Sequence, residues 1–310
     1  MRVVVTGGTG YLGSAIVRAL DRAGHTPVVF SRRATAAGLP GTTAVGDVRD
    51  LAAVRRALDG ADAVCHAAAL VSVWQSDPRA FDEINVAAVR TVIEACRQLG
   101  TPRIVYTSSF LAIPPADASA PLAANEYQRS KMQALAVARA AAVEGAPLVT
   151  LVPGVIYGPG PATEGNLVGR LVRDHLAGRL PGVVAADRRW SYAYVDDVAD
   201  AHVRALTAAR AGSEYLLGGE NAPQMRVFEV VRELTGRPLP RRIPIGAAWA
   251  AGLFEETRAR LTGRPPRLTR GVVEIFRHDW SMDSSRSVAE LSYRITPLGE
   301  GLRAMLATPS

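Results

Sequence analysis

The one lysine of this chain, Lys131, follows Tyr127 by four residues, and the other 35 of the 36 basic residues are arginine. Residues at i and i+4 share one face of a helix, so the ammonium and the phenol would lie side by side. A neighbouring ammonium lowers the pKa of a phenol and makes it a usable proton donor and acceptor near neutral pH. Lysine suits this task because its charge is compact and its pKa is adjustable. The alternative is an ordinary exposed lysine on an alanine-rich helix.

A glycine-rich loop follows the first apolar run of the chain, Val3–Val5. Gly7, Gly10 and Gly13 form the pattern G-x-x-G-x-x-G between a predicted strand and a predicted helix. Such glycines let the backbone turn tightly and approach a pyrophosphate, whose charge then meets the helix N-terminus. A plain glycine turn is the alternative. The candidate cofactor-binding residues of this loop are Gly7, Thr9, Gly10, Tyr11, Leu12 and Gly13.

The end of the second predicted strand favours NADP(H) over NAD(H). In NAD-binding proteins an acidic residue about 20 residues beyond the glycines accepts hydrogen bonds from the ribose hydroxyls. Here the strand ends at Ser31, Arg32 and Arg33, 24 residues after Gly7, without a carboxylate. Guanidinium groups bind phosphate oxygens with paired donors, which suits a 2′-phosphate. The alternative is two solvated arginines in a protein that binds NAD(H).

Asp47 and Val48 follow the third predicted strand. In that position Asp47 could accept a hydrogen bond from the adenine amine, and both residues are candidates for cofactor binding. The rival role for Asp47 is to cap the helix that begins near Asp50.

Short β-branched runs alternate with helical patterns over the first 150 residues, which is typical of parallel βαβ units. The predicted strands are Val3–Val5, Val28–Phe30, Thr42–Val45, Ala63–His66, Ile104–Thr107 and Leu148–Val152, and the predicted helices cover 12–23, 50–59, 78–99 and 124–144. We predict an α/β fold, a doubly wound Rossmann sheet with a smaller C-terminal substrate lobe. Residues 1–160 would bind the cofactor, residues 161–310 would mainly bind substrate, and segments such as 190–210 would return to the first domain.

Composition argues against several classes of function. The net charge is +7, but the arginines occur in ones and twos and no basic run contains aromatic residues, so we expect no nucleic-acid partner. No stretch of about 18 residues is apolar and uncharged, so we expect no membrane partner. A strand that starts at once leaves no room for a signal peptide. Cys65 and Cys96 lack metal-type spacing, so we expect a cytoplasmic protein with two buried thiols and no metal.

Taken together and in register, these motifs resemble those of the extended short-chain dehydrogenase/reductases, the NAD(P)-dependent epimerase/dehydratase family. Within that family the chain is most similar to bacterial proteins of the dihydroflavonol reductase-like and hopanoid-associated sugar epimerase-like kinds. The matching segments cover nearly the whole chain; they are Thr6 to Gly13, Gly46 to Val48, His66 to Ala69, Asn85, Thr107 to Ser109, Tyr127 with Lys131, Pro153 to Gly160 and Tyr194 to Ala199.

The resemblance implies a role for each member of a catalytic set. Tyr127 would be the general acid that protonates a carbonyl oxygen, and Lys131 would hold the nicotinamide ribose and keep the phenol acidic. Ser109 would donate a hydrogen bond to the developing alkoxide, with Ser108 as the alternative. Asn85 would organise its helix and a proton-relay water, or would be purely structural.

The resemblance also implies further contacts with the cofactor. His66 would belong to the cofactor wall rather than act as an acid or base. Asp196 and Asp197 begin a helix, so capping is their expected role. The remaining cofactor-binding residues that the resemblance implies are Ala67, Ala68, Ala69, Thr107, Pro153, Val155 and Ile156.

Two departures from the family bear on the substrate. Trp190 stands where many nucleotide-sugar enzymes carry an arginine for the substrate diphosphate, with Arg188 and Arg189 just before it. Only 18 positions separate Ser109 from Tyr127, so the substrate-facing loop is short. Apolar walls suit an aromatic, aliphatic or sterol-like carbonyl or alcohol, although each wall aromatic could belong to the core between the lobes. The candidate wall residues are Val71, Val73, Trp74, Phe110, Leu111, Ile113 and Trp190, and Tyr157 is a further candidate for substrate contact.

We therefore expect an NADP(H)-dependent oxidoreductase that reduces a ketone or aldehyde, or oxidises the alcohol. The second hypothesis is a nucleotide-sugar epimerase or dehydratase with tightly bound cofactor, which would need Arg188 or Arg189 to reach a diphosphate. The third is a cofactor-sensing or partner-binding protein without turnover, which the intact Tyr127 and Lys131 pair disfavours. By analogy, a homodimer would form through the helices predicted at 78–99 and 124–144.

Overall fold

The computed structural model describes residues 1–32, 38–161 and 163–308. Its strands are β1 (Arg2–Thr6), β2 (Thr26–Ser31), β3 (Thr42–Val45), β4 (Ala63–His66), β5 (Ile104–Thr107), β6 (Leu148–Pro153), β7 (Val155–Tyr157), β8 (Val183–Val184), β9 (Arg189–Tyr194), β10 (Glu214–Leu217), β11 (Glu220–Pro223) and β12 (Arg242–Ile243). Its helices are α1 (Tyr11–Arg22), α2 (Leu51–Leu58), α3 (Arg79–Phe81), α4 (Ala88–Leu99), α5 (Glu126–Val143), α6 (Leu167–Leu176), α7 (Val195–Ala205), α8 (Gln224–Thr235), α9 (Ile245–Thr262), α10 (Arg270–Phe276), α11 (Ser285–Leu291) and α12 (Leu298–Ala307). A π-helical segment, Asp82–Ala87, joins α3 to α4, and a 3₁₀ turn, Phe110–Ala112, follows β5.

The main sheet that the described residues form has seven parallel strands in the order β10-β6-β5-β4-β1-β2-β3. Its central strands are buried on both faces because helices cover the two sides, as parallel sheets require. Val3 and Val5 of β1 pack with Ile16 of α1 and Val198 of α7 on one face. Val4, between them, packs on the other face in a cluster that includes residues of α2, α4 and α5. The predicted doubly wound α/β fold is confirmed.

A second core lies in the C-terminal half. A three-stranded sheet in the order β11-β9-β7 packs with α6, α8 and α12 around Trp190, Phe228 and Trp280. A small parallel pair joins β8 and β12. Two later segments return to the main sheet, since β10 pairs with β6 and α7 covers the face that α1 covers. The division at residue 160 and the substrate-binding role of the second part stay predictions.

Several smaller expectations can be compared with the structure. All six predicted strands are present, but the seventh strand of the main sheet, β10, was not predicted. Cys65 and Cys96 are free and buried, as expected. No helix among the described residues has the length and apolar character needed to cross a membrane. Within the same residues, no cluster of three or more His, Cys, Asp or Glu side chains is placed to hold a metal ion.

Candidate active site

The helix α5 carries Tyr127 and Lys131 to the carboxyl end of β5. Its first turn is fixed by Asn125, whose side-chain oxygen accepts a 2.8 Å hydrogen bond from the Gln128 amide, a standard N-cap. The buried face of the helix then continues through Ser130, Lys131, Ala134 and Leu135. Lys131 is only 3% exposed, so the alternative of an ordinary surface lysine is wrong.

The Lys131 ammonium is held between β5 and its own helix. Nζ donates a 3.2 Å hydrogen bond to the carbonyl oxygen of Thr107 and lies 5.6 Å from the centre of the Tyr106 ring. Burial penalises the charged form and lowers the pKa of Lys131 to about 8. The ammonium is therefore largely protonated at neutral pH and can direct its remaining hydrogens toward a ligand.

The Tyr127 phenol is half-buried beside the Ser109 hydroxyl. Burial raises the pKa of Tyr127 to about 12, and the hydrogen bond with Ser109 works in the opposite direction. The sequence predicted that Lys131 would lower this pKa, but in the structure the neighbour that lowers it is Ser109. The phenol consequently keeps its proton at neutral pH, as a proton donor must.

Of the two serines that follow β5, the second is the one beside Tyr127. The Ser109 hydroxyl accepts a 3.2 Å hydrogen bond from the Leu111 amide, which starts the 3₁₀ turn. Ser108 is buried next to Tyr106 instead, and its hydroxyl lowers the Tyr106 pKa although burial dominates and raises it. This geometry favours Ser109 over Ser108 as the partner of the phenol.

Asn85 ties the π-helical segment to the catalytic helix. Its side chain accepts a 2.7 Å hydrogen bond from the Leu70 amide and donates to the Leu70 carbonyl and to the Ser130 hydroxyl. The Ser130 hydroxyl in turn donates to the carbonyl oxygen of Tyr127 at 2.7 Å. Asn85 therefore fixes the backbone between Tyr127 and Lys131, and single-turn π segments are common at functional sites.

The glycine-rich loop forms a cradle at the end of β1. Gly7 has a φ of +70°, and a Cβ there would lie 2.7 Å from the Cα of Ala68, so only glycine fits. A Cβ on Gly13 would lie 2.1 Å from the Gly7 carbonyl oxygen. The N-cap of α1 is Gly10, which makes no side-chain capping bond, so the first amides of the helix stay available to a ligand. These features fit the pyrophosphate of a dinucleotide.

The predicted cofactor residues lie at the carboxyl edge of the main sheet. Thr9 donates a 3.2 Å hydrogen bond to Ser31, so the glycine loop contacts the end of β2. The Tyr11 hydroxyl donates to the carbonyl oxygen of Gly158, which joins that loop to the chain beyond β7. The other predicted residues at this edge are half-buried or buried; they are Leu12, Val48, Ala67, Ala68, Ala69, Thr107, Pro153, Val155 and Ile156.

At the end of β2 the structure describes Ser31 and Arg32, whereas Arg33 lies outside the described residues. The Arg32 side chain is exposed. The Asp47 carboxylate accepts hydrogen bonds from Arg49, which lower its pKa, and the charge of Arg32 adds to the lowering. The rival role proposed for Asp47 is wrong, because Asp50 itself caps α2 by accepting from the amides of Ala52 and Ala53.

Two buried histidines near the site are neutral. Burial lowers the pKa of His66 to about 3, and the Lys131 charge lowers it further, so His66 is no acid or base near neutral pH. Burial also lowers the pKa of His202 to about 4. Because Nδ1 of His202 lies 2.7 Å from the carbonyl of Val198, it carries the proton, and Nε2 accepts a 2.8 Å bond from the Thr107 hydroxyl.

The predicted substrate residues divide into accessible and buried ones. Trp74 and Phe110 are half-buried and remain open to a ligand. The prediction for Tyr157 is wrong in this structure, because its side chain is 0% exposed and packs against Tyr192 and Tyr194 in the C-terminal core. Trp190 is 3% exposed, so it supports the wall from behind rather than forming its surface.

An aromatic cluster lies beside Ser109. Phe110 contacts Trp280 edge-on, with ring centres 5.1 Å apart, and lies 6.3 Å from Trp190. Phe276 of α10 also packs on Trp190, with ring centres 4.7 Å apart. Phe276 and Trp280 were missed in the sequence because they follow Phe110 by more than 160 residues, and only the tertiary fold brings them to it.

Comparison with known proteins identifies the family. The model of the NAD dependent epimerase/dehydratase family matches residues 3–218, more than half of the chain. The chain belongs to that family. It is an NAD(P)-dependent enzyme of the extended short-chain dehydrogenase/reductase type, which acts on small substrates.

Relatives within this family span both reductases and epimerases. The chain is 32% identical to sterol demethylase protein B of Methylococcus capsulatus, over 94% of this chain and 93% of that protein. It is also 32% identical to a 2-alkyl-3-oxoalkanoate reductase of Stenotrophomonas maltophilia, over 99% of each. The crystal structure of gox2253 matches with a TM-score of 0.82 and 28% identity, covering 98% of this chain and 96% of that one. The UDP-glucose 4-epimerase of Thermus thermophilus in complex with NAD matches with a TM-score of 0.75 and 27% identity, covering 99% and 98%.

Proposed function

We propose that this epimerase/dehydratase family member is an NADP(H)-dependent oxidoreductase that reduces a ketone or aldehyde, or oxidises the corresponding alcohol. The observation that carries the proposal is the position of the Tyr127 phenol beside the Ser109 hydroxyl, four residues before the buried Lys131 on the same helix. A carbonyl oxygen that meets both hydroxyls receives two hydrogen bonds, which strengthen as negative charge develops on it.

Each residue of this set has a separate task. The hydride for the carbonyl carbon would come from NADPH when it is bound on the glycine-rich loop. Tyr127 gives its proton to the carbonyl oxygen, and Ser109 holds that oxygen in place. Lys131 keeps most of its charge at pH 7 because its pKa is about 8, and it binds ribose hydroxyls with the hydrogens that Thr107 does not take. Asn85 holds the backbone of Tyr127 through Ser130 and so positions the phenol.

The substrate class follows from the walls beside Ser109. Phe110 and Trp74 offer accessible aromatic surface, and Trp190 occupies the position where a diphosphate-binding arginine would stand. Such a site favours an apolar ketone over a nucleotide sugar. The names of two relatives, a 2-alkyl-3-oxoalkanoate reductase and sterol demethylase protein B, support an aliphatic or sterol-like substrate.

The preference for NADP(H) rests on the end of β2. A serine and arginines stand there without a carboxylate, and the guanidinium of Arg32 is exposed. A carboxylate at this place would repel a 2′-phosphate, whereas arginine binds it. We therefore expect NADPH to bind at least about tenfold more tightly than NADH, since one charge-assisted contact contributes roughly 1.5 to 3 kcal/mol.

The test combines a titration of NADPH and NADH with a panel of aliphatic, aromatic and sterol-like ketones. Tyr127→Phe should lower kcat/KM by about 100-fold or more, as expected for the loss of a general acid. Tyr215→Phe is the matched control, because the Tyr215 hydroxyl bonds to Glu290 at the sheet edge, away from this site. Full activity in Tyr127→Phe would contradict any catalytic role for the phenol.

One observation favours a nucleotide-sugar epimerase as the second candidate. Arg188 is half-exposed and, with Arg242, lines an open cavity of about 470 Å³. Arg189 is less suited, because its guanidinium already donates to the Asn221 carbonyl at 2.6 Å. An epimerase would retain its cofactor through gel filtration and show no net NADPH consumption with ketones. Those two results together would replace the reductase proposal with this one.

A further inference from the structure

Helix α9, Ile245–Thr262, exposes its large apolar side chains and buries its small ones. The residues that face the protein are Ala248, Gly252 and Ala259. On the opposite side Phe254 is 67% exposed and Leu261 is 82% exposed, and on the flank Trp249, whose ring the Arg270 guanidinium covers, is 47% exposed. This arrangement is the reverse of a surface helix in a globular protein, which turns its large apolar residues inward.

Helix α9 packs closely against its neighbour, which explains why the residues on its buried face are small. A Cβ on Gly252 would lie 2.9 Å from the backbone nitrogen of Arg270, so the two helices α9 and α10 touch at backbone distance. The first ten residues of α9, numbers 245–254, contain no charged side chain. Exposed apolar patches of this kind mark interaction sites.

The same segment holds most of the net positive charge. Residues 241–270 contain seven arginines and two glutamates, a net charge of +5, against +7 for the whole chain. Both glutamates are already paired, Glu255 with Arg258 and Glu256 with Arg270.

Four of the arginines in this segment have no ion pair within the described ranges of the chain. They are Arg241, Arg260, Arg264 and Arg267, and all four are exposed. A surface with large exposed apolar side chains and unpaired arginines is complementary to an anionic lipid bilayer. The arginines match the negatively charged head groups, and the apolar side chains match the acyl chains beneath them.

We propose that α9 and the arginines of residues 241–270 dock this protein onto an anionic lipid surface. The apolar side chains of α9 insert at the boundary between head groups and acyl chains, and the arginines bind lipid phosphates. This is peripheral binding without a membrane span, and it stands independently of the reaction proposed above. It revises the expectation from the sequence that the protein has no membrane partner.

A second copy of this chain fits the surface less well. In a two-fold symmetric dimer each face meets itself, so the unpaired arginines of one copy would approach those of the other. An excess of five positive charges on each side would oppose that contact. The dimer predicted from the family resemblance would use other helices, those at 78–99 and 124–144.

The docking face lies close to the catalytic helix. Helix α10 packs against α9 and contains Gly271. A Cβ on Gly271 would lie 2.2 Å from the carbonyl oxygen of Ala124, so α10 touches the backbone at that point. Ala124 immediately precedes Asn125, the N-cap of the helix that carries Tyr127. Phe276 at the other end of α10 packs on Trp190 behind the aromatic wall. A lipid-bound enzyme would therefore hold its active site near the bilayer.

The test is flotation of the full-length protein with vesicles at low salt. Vesicles of equal parts phosphatidylglycerol and phosphatidylcholine should carry the protein upward, and vesicles of phosphatidylcholine alone should bind it much more weakly. Phe254→Ser and Leu261→Ser should each lower the partition coefficient about tenfold, given the area that each side chain would bury. Val143→Ser, at a site 89% exposed on the last turn of α5, is the matched control and should bind like the parent protein.

The arginines are tested in the same assay. Arg260→Gln and Arg264→Gln should each weaken binding to the anionic vesicles about fivefold, since a basic residue near such a surface contributes about 1 kcal/mol. The Trp249 fluorescence should shift to the blue on binding, and Trp249→Phe should remove that shift. Folding of every variant is checked by circular dichroism and NADPH binding, which the exposed positions should leave intact.

Three results would overturn the proposal. The first is no flotation of the folded protein with anionic vesicles. The second is flotation that Phe254→Ser and Leu261→Ser leave unchanged, because another surface would then be responsible. The third is a concentration-dependent dimer in sedimentation that Phe254→Ser abolishes, without vesicle binding, which would assign this face to a second copy of the chain.

Discussion

Replacing Lys131 with methionine should lower the activity about 100-fold or more and at the same time stabilise the protein. The ammonium is buried, and its pKa falls from the ordinary value of 10.5 to about 8, so burial of the charge costs roughly 3 kcal/mol at neutral pH. Methionine has a similar length and no charge, so it removes this cost. It also removes the hydrogen bond to the Thr107 carbonyl, which contributes about 1 kcal/mol. The expected gain in the free energy of unfolding is therefore about 2 kcal/mol at pH 7.

The difference in the free energy of unfolding between Lys131→Met and the parent protein should depend on pH. A lysine whose folded pKa is lowered destabilises the fold below that pKa, where it is charged in both states, and the penalty disappears as the pH rises from about 8 to 10.5. Urea unfolding of Lys131→Met and of the parent protein should accordingly differ by about 2 kcal/mol at pH 7. At pH 10.5 the gap should close or reverse slightly, because only the lost hydrogen bond remains.

The comparison includes a variant that keeps the charge. Lys131→Arg retains a full positive charge in a larger group, so it should be less stable than the parent at every pH. Activity with NADPH and the best ketone should fall about 100-fold or more in both variants. A Lys131→Met protein that is less stable than the parent at pH 7, or a difference that does not change with pH, would refute the reasoning about the buried charge.

Three further predictions concern the cofactor site and its support. Gly7→Ala should weaken NADPH binding more than about tenfold because its Cβ would meet Ala68, whereas Gly24→Ala, also at positive φ but with open space, should bind NADPH normally in a fluorescence titration. Asn85→Leu should lower the free energy of unfolding by about 2 to 4 kcal/mol and lower kcat more than it raises KM, which urea titration and steady-state kinetics would show. Arg32→Asp should reverse the preference from NADPH to NADH, and an unchanged ratio of dissociation constants would contradict the assignment of the 2′-phosphate site.

Local patterns in the sequence were sufficient for most of the main sheet. Six of its strands are short β-branched runs beside helical patterns, so each can be recognised within its own window of residues. The strand Glu214–Leu217 could not, because it contains no β-branched residue and begins more than 60 residues after β6, its partner. Its side chains Tyr215 and Leu217 pack in the same core as α1 and α7, which only the tertiary fold brings together.

The site shows the same division between local and tertiary information. The i, i+4 spacing correctly predicted that Tyr127 and Lys131 lie on one helix face. The position of Ser109 after β5 also placed it near them, because the carboxyl ends of parallel strands lie at one edge of the sheet. The exposure of side chains could not be predicted from local patterns. Tyr157 and Trp190 have side chains that could contact a substrate, but they are buried in the C-terminal core. The excess charge of residues 241–270 was visible in the sequence, yet its meaning depended on seeing which face of α9 is exposed.

The pKa values of the catalytic pair bear on the direction of the reaction. Because burial raises its pKa, the Tyr127 phenol is protonated at neutral pH and ready to give a proton rather than to accept one. Among the described residues, the neighbour that offsets the effect of burial is the uncharged Ser109 hydroxyl. Reduction of a carbonyl uses the protonated phenol directly, but oxidation of an alcohol needs the ionised one. The protonated phenol therefore suits reduction near neutral pH, and the reductive rate should fall as the pH rises through about 8, where Lys131 loses its charge.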